Sequence, residues 1–223
     1  MQERNVLGIT IKIINIVKAV FLALAFTVFY LFLLHGSNEL FKLIGIQSQS
    51  QFSYLLLAYL CIFSIAIAYN NKIGILNAKF DTLYYLSKEN YHDFYFNMLG
   101  VFSYVFIGTV LATFVVMQIE PIANQEISSS SMIQSSIDRI ILLLAGPISE
   151  EVYFRGIVYN LSEKICKSKV LTYLISTASF LLVHGHVKAF IVLLPLAIGC
   201  TYLRDKYNTI YLSMLLHIAF NII

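Results

Sequence analysis

The most informative segment of the chain is Gly146-Pro147-Ile148-Ser149-Glu150-Glu151-Val152-Tyr153-Phe154-Arg155-Gly156. It places two carboxylates and a guanidinium inside a run from Ile140 to Leu161 that is otherwise apolar. If this run crosses a membrane, each charge near the bilayer centre costs ~2.5–3.5 kcal/mol on insertion scales. Pairing between the charges, or a function that requires them, has to offset that cost.

The composition of the whole chain is that of a membrane protein. Of its 223 residues 59% are hydrophobic and 12% are charged, and the mean hydropathy is +0.78. Soluble domains carry roughly 25% charged residues, about twice this fraction. A transmembrane barrel needs alternating apolar and polar residues, whereas this chain has long unbroken apolar runs. We therefore predict an all-α, polytopic transmembrane bundle of about seven (roughly six to eight) spans, with a polar catalytic cavity within the membrane.

Seven apolar runs are assigned as spans: Ala19–Leu34, Tyr54–Ala68, Met98–Met117, Ile140–Leu161, Val170–Val183, Ala189–Leu203 and Thr209–Ile223. Several are shorter than the ~20 residues that cross the hydrocarbon perpendicularly, so their boundaries are approximate. We divide the chain into N-terminal spans and loops, residues 1–137, and a catalytic core, residues 138–223.

The lysines and arginines are distributed unequally between alternate loops. Eleven fall in one set: Arg4, Lys12, Lys18, Lys72, Lys79, Lys88, Lys164, Lys167, Lys169, Arg204 and Lys206. Three fall in the other: Lys42, Arg139 and Lys188. Because cytoplasmic loops carry the excess of positive charge, this bias predicts a cytoplasmic N-terminus, and it is typical of a bacterial plasma membrane protein. The net charge of +3 gives no indication of nucleic acid.

The charges of the opening stretch divide into two groups. Glu151 and Arg155 are four residues apart, so on a helix they share a face and are expected to form an ion pair. Glu150 then points elsewhere, and a carboxylate withdrawn from water is suited to act as a general base. Pro147 removes a backbone hydrogen bond and clashes with the Leu143 carbonyl, which predicts a kinked or widened helix just before the glutamates. The alternative is that the cluster is only an ion-pair lock between helices.

Two further pairs of residues, each with a histidine, lie in later spans. Phe180 and His184 share one helix face, as do His217 and Asn221. Counting residues along each span places these groups, with Glu150, near the midplane or somewhat outside it. We therefore expect Glu150 to meet them in one cavity.

The sequence resembles a known family at these positions. Glu-Glu-x-x-x-Arg at 150–155, Phe-x-x-x-His at 180–184 and His-x-x-x-Asn at 217–221 are similar to the signature motifs of the CPBP intramembrane proteases. That family includes the CAAX prenyl endopeptidases and bacteriocin-processing or immunity proteins. The resemblance covers about residues 140–223.

The resemblance implies a role for each motif residue. Glu150 would activate a water molecule with the help of His184, while His217 and Asn221 would stabilise the tetrahedral oxyanion. A carboxylate or imidazole can take a proton, and an asparagine amide can donate to a developing negative charge. The resemblance also implies residues that support the site: Glu151, Arg155 and Phe180.

Descriptions of the family also speak of a metalloprotease. Glu150, His184 and His217 would then be three ligands of a divalent ion such as zinc, with an open fourth position. The spacing differs from the His-Glu-x-x-His arrangement of zinc proteases, however, and asparagine is a poor zinc ligand. We favour activation of water without a metal.

The leading hypothesis is an intramembrane endopeptidase that acts on a peptide or membrane-tethered protein in CAAX-like, bacteriocin or peptide-precursor processing. One alternative is a non-proteolytic membrane partner, such as a bacteriocin immunity protein or a signalling regulator. A transporter that uses Glu150 and the histidines as a proton relay is a third reading, but inverted repeats and paired broken helices are not visible in the sequence.

Overall fold

The structure is a computed structural model, and it describes residues 2–43, 58–62, 64–66, 91–119 and 141–222. Within these ranges every regular element is a helix and there is no strand. The predicted all-α fold class is confirmed.

Six long helical elements follow one another along the described chain: α1 Gln2–Leu43, α2 Tyr91–Ile119, α3 residues 141–166, α4 Lys169–Leu182, α5 Val187–Tyr207 and α6 Tyr211–Ile222. Residues 58–62 and 64–66 are also helical. The third element, α3, is composite and alternates between π-helix and α-helix: Ile141–Ala145 (π), Gly146–Glu151 (α), Val152–Val158 (π) and Tyr159–Cys166 (α).

Three of the described helices are long and apolar enough to cross a membrane. They are Ile9–Gly36 of α1, Tyr91–Gln118 of α2 and Val187–Tyr207 of α5, while α4 and α6 are shorter apolar helices. These findings make the chain an integral membrane protein, as its composition predicts.

Most predicted spans coincide with described helices. The first, third and sixth lie inside α1, α2 and α5, and the fourth, fifth and seventh correspond to α3, α4 and α6. Of the second, Tyr54–Ala68, only residues 58–62 and 64–66 belong to the described chain, where they are helical. The total of about seven spans therefore stays a prediction.

The helix α5 is the centre of the described bundle. It packs against α2, α4 and α6, and 44% of its apolar segment is buried, against 22% for α1 and 11% for α2. The outer helices instead expose large apolar side chains, including Phe21 on α1 at 70% and Phe106 on α2 at 56%. Apolar surface of this kind suits contact with lipid.

Small residues bring α2 close to α5. A Cβ atom added at Gly199 would lie 2.7 Å from Val105 Cγ2 and 3.3 Å from Leu216 Cδ2, and one added at Gly108 would lie 2.9 Å from Pro195. Glycine at both positions therefore lets the helices approach, as is common in membrane bundles.

Gly199→Ala is expected to destabilise the protein by about 1–3 kcal/mol, because the added methyl group overpacks the junction of α2, α5 and α6. Thermal unfolding in detergent micelles measures the effect. Gly100→Ala on α2 is the matched control, since a Cβ atom there meets nothing within 4 Å. An equal loss of stability in both variants would contradict this explanation.

The helix α3 is widened just before the glutamates. The π-helical segment Ile141–Ala145 is followed directly by Gly146 and Pro147. Proline has no backbone N–H to donate to the preceding turn, and a wider turn accommodates the freed carbonyl. The widening predicted from Pro147 is confirmed.

Candidate active site

The predicted ion pair between Glu151 and Arg155 is present and fully buried. Arg155 Nη1 lies 2.9 Å from Glu151 Oε1, and both side chains are 0% exposed. Arg155 Nη2 also donates to the Ala197 carbonyl of α5 at 3.0 Å, and the guanidinium carbon lies 4.6 Å from the centre of the Phe180 ring. These contacts compensate the buried cation from three helices, α3, α4 and α5.

Arg155 lies inside the second π-helical segment, Val152–Val158. Two carbonyls of this segment accept hydrogen bonds from side chains of other helices: Phe154 O from Ser176 Oγ at 3.1 Å and Arg155 O from Arg204 Nε at 3.2 Å. Short π-helical segments are frequent at functional sites. The sequence did not predict this one.

His217 of α6 connects the two glutamates. Its Nδ1 lies 2.9 Å from Glu151 Oε1, and its Nε2 lies 3.8 Å from Glu150 Oε2. The ring is buried between them, with 4% of the residue exposed. The helix α6 packs directly on the Gly146–Glu151 segment of α3, which brings these groups together.

The side chains of the two glutamates differ in how far they are exposed. The Glu150 side chain is 19% exposed, whereas that of Glu151 is 0% exposed. The Glu150 carboxylate also interacts electrostatically with His217 and His184. Glu150 is therefore the carboxylate of the pair that a water molecule or a substrate can reach.

His184 lies in the turn that follows α4. Its Nδ1 is 2.8 Å from the Phe180 carbonyl, and because a carbonyl can only accept, Nδ1 carries the proton. In the neutral ring, Nε2 then has a free lone pair. His184 is half-buried, so this nitrogen is available as a proton acceptor.

Phe180 is the apolar centre of the cluster. It is 0% exposed, and the centre of its ring lies 4.8 Å from that of His184, 5.6 Å from that of His217 and 5.5 Å from that of Phe154. With the guanidinium of Arg155 over it as well, the ring touches both histidines and the arginine.

The structure therefore brings together most of the residues singled out in the sequence: Glu150, Glu151, Arg155, Phe180, His184 and His217. Asn221 lies one turn beyond His217 near the end of α6 and is exposed, whereas His217 is buried. The spacing of four residues places Asn221 on the same helix face as His217.

Sequence reasoning missed a second polar cluster that borders the first. Arg204 Nη2 donates to Asn160 Oδ1 and Arg204 Nη1 donates to Asn208 Oδ1, both at 2.7 Å, in addition to the bond from Nε to the Arg155 carbonyl. Arg204 is 8% exposed and lies in the last turns of α5. The one signal in the sequence was the spacing of four residues between Arg204 and Asn208.

Arg204→Met is expected to destabilise the protein by at least about 2 kcal/mol, because hydrogen bonds to charged groups contribute about 1.5–3 kcal/mol each and their buried acceptors lose a partner. Thermal unfolding in micelles measures the loss. Lys164→Met, at an exposed position of α3, is the control and should change the stability little. Equal stability of the two variants would show that Arg204 does not hold the π-helical segment.

Among the described residues, which include Glu150, His184 and His217, no three His, Cys, Asp or Glu side chains are grouped so that they could hold one ion. The choice between a metal-free reaction and a divalent metal on these three residues stays a prediction.

The described helices form a membrane bundle. Two carboxylates, two imidazoles and a guanidinium lie together inside it, so the protein is a helical membrane protein with a polar site among its helices. The model of the family described as type II CAAX prenyl endopeptidase Rce1-like matches residues 133–223, and that family is part of the CPBP proteases. This segment, which includes α3 to α6 and the three motifs, is therefore similar to the CPBP proteases, and the similarity indicates a peptidase. No curated protein and no solved structure matched the chain.

Proposed function

We propose that this protein is an intramembrane endopeptidase that uses Glu150 to activate water. The observation that carries the proposal is the difference between the two glutamates: Glu151 is sealed in an ion pair, while Glu150 is partly exposed and faces Nε2 of His217 at 3.8 Å. The substrate is a peptide or a membrane-tethered protein, in CAAX-like, bacteriocin or peptide-precursor processing.

The first chemical step is the attack of water on the scissile carbonyl carbon. Glu150 accepts one proton of the water molecule, and Nε2 of His184 accepts a hydrogen bond from the other O–H, which orients the water for attack. The oxygen of the water forms a bond to the carbonyl carbon, and the carbonyl π electrons move to the carbonyl oxygen. The product is a tetrahedral intermediate with a negative oxygen.

The oxyanion is stabilised by groups on α6. His217 and Asn221 are four residues apart, so both reach toward the same side of the helix. An amide N–H of Asn221 donates to the oxyanion, and Nε2 of His217 faces the same region. Collapse of the intermediate breaks the C–N bond, and the proton held by Glu150 passes to the leaving amine.

The reaction is proposed to proceed without a metal. Nδ1 of each histidine already faces an oxygen acceptor, Phe180 O for His184 and Glu151 Oε1 for His217. The remaining nitrogens and Glu150 do not form a ligand group. The organic groups present are sufficient for general base catalysis and oxyanion stabilisation.

The proposal is tested with the purified protein in lipid nanodiscs and a library of peptides with and without a C-terminal lipid. We expect cleavage that continues in the presence of a chelator and is lost in Glu150→Gln. Cleavage that stops with the chelator and returns with added zinc would overturn the metal-free mechanism. Absence of cleavage, together with binding of a partner that survives Glu150→Gln, would overturn the peptidase and favour a non-proteolytic role.

The orientation in the membrane is proposed from the charges of the sequence. One set of alternate loops and adjoining helix ends holds eleven lysines and arginines, and the other set holds three. A cytoplasmic N-terminus in a bacterial plasma membrane accounts for this bias. Reporter enzymes fused to either end of the chain, active on only one side of the membrane, measure the orientation directly.

A further inference from the structure

The contact between His217 and Glu151 fixes which ring nitrogen carries a proton. Glu151 Oε1 accepts a hydrogen bond from Arg155 Nη1 and lies 2.9 Å from His217 Nδ1. A guanidinium is always a donor, and Arg155 Nη1 forms a buried ion pair with this carboxylate at 2.9 Å. An ionised carboxylate only accepts, so Nδ1 of His217 must carry the proton in this contact.

The Nε2 nitrogen of His217 therefore points toward the proposed reaction site. With Nδ1 held by Glu151, Nε2 of His217 faces Glu150 Oε2 at 3.8 Å. The hydrogen bond at Nδ1 is made equally by the neutral ring and by the imidazolium. In both states Nε2 is the atom available to a substrate.

We infer that Glu151 is a positioning residue that fixes the orientation and tautomer of His217, and that Arg155 in turn holds Glu151 in place. This inference rests on the proposed function and assigns a chemical consequence to a pair that the sequence suggested was only structural. Nε2 of His217 is then the ring nitrogen that contacts the substrate, whereas Nδ1 stays hydrogen-bonded to Glu151.

A consequence follows for the oxyanion. The neutral His217 ring carries one proton, and Nδ1 donates it to Glu151. Only the imidazolium form carries a second proton, which Nε2 could donate to the oxyanion. The groups around the ring are Glu151 at Nδ1, Glu150 at Nε2 and the ring of Phe180. One carboxylate therefore lies at each ring nitrogen. The geometry is analogous to that of an aspartate that orients a catalytic histidine.

The tautomer is measured by NMR of protein labelled with ¹⁵N-histidine, without any substrate. The resonances of His217 are assigned as those that disappear in His217→Gln. We expect a protonated Nδ1 in the wild type and in Glu151→Asp. In Glu151→Gln, whose amide can itself donate to Nδ1, we expect the proton to move to Nε2. An unprotonated Nδ1 in the wild type, or an unchanged spectrum in Glu151→Gln, would overturn the inference.

Kinetics provide the second readout. Glu151→Gln is expected to lower kcat by about 10²- to 10⁴-fold with little change in KM, since a wrong tautomer in the serine protease triad costs about 10⁴-fold. Glu151→Asp should recover part of the loss. The matched control, Glu163→Gln, makes the same substitution at an exposed position of α3 and should leave kcat unchanged. A loss of the same size in Glu151→Gln and Glu151→Asp would overturn the positioning role.

The two parts of the experiment separate this inference from the proposed function. A protonated Nδ1 that responds to Glu151→Gln in a protein without any peptidase activity would reject the proposed reaction and retain the positioning of His217 by Glu151. Peptidase activity in a protein whose Nδ1 is unprotonated would reject the positioning and retain the reaction. The wild-type spectrum alone tests whether Nδ1 of His217 is protonated, even if a variant fails to fold.

Discussion

Glu150→Gln is expected to lower kcat/KM for peptide cleavage by about 10²- to 10⁴-fold, the range in which general base catalysis contributes. Glutamine has nearly the same shape but cannot accept the proton of the attacking water. The stability should change little, because the side chain is 19% exposed and its nearest ionic partner, His217, is 3.8 Å away. Initial rates and thermal unfolding of the same preparations measure both quantities.

Glu163→Gln is again the matched control, with an expected effect on the rate close to zero. If Glu150 and His184 act on one water molecule, the double variant Glu150→Gln/His184→Gln should lose little more activity than the worse single variant, because groups that act as a unit are not additive. Multiplicative losses would show that the two residues serve different steps. Retention of more than a tenth of the activity in Glu150→Gln would exclude this carboxylate as the base.

The features that the sequence predicted well depend on short-range helix geometry. Residues four apart on a helix meet whatever surrounds them, so the pair between Glu151 and Arg155 could be predicted from spacing. The widening before the glutamates follows from Pro147 alone, because the missing N–H is a property of that residue. Apolar runs predicted most helices for the same reason, since the bilayer requires internally hydrogen-bonded segments.

The features that the sequence did not predict depend on the π-helical segment Val152–Val158 and on packing between distant helices. Nothing in these seven residues indicates a π-helix, since its released carbonyls are satisfied by side chains far along the chain. One of these, Arg204, looked like a loop charge because its partners are supplied by α3 and by the turn after α5. The contact of His217 with Glu151 was missed because it depends on how α6 is rotated against α3.

Arg155→Met is expected to destabilise the protein by about 3–5 kcal/mol, as is typical when one partner of a buried ion pair is removed. The remaining Glu151 carboxylate is 0% exposed and would have lost the cation that compensates it. Thermal unfolding in micelles measures the loss, and Lys164→Met, which removes an exposed cation of α3, should leave the unfolding temperature nearly unchanged.

The double variant Glu151→Leu/Arg155→Met distinguishes an ion-pair lock from a functional positioning pair. Both buried charges are then absent, and replacing a buried ion pair by apolar residues of similar volume is often neutral or stabilising. We expect the stability to return to within about 1–2 kcal/mol of the wild type. The activity should stay low, because Nδ1 of His217 no longer has the acceptor that lies 2.9 Å from it. Recovery of activity together with stability would show that the pair only locks the helices, whereas recovery of stability alone separates the folding role of this pair from its role in catalysis.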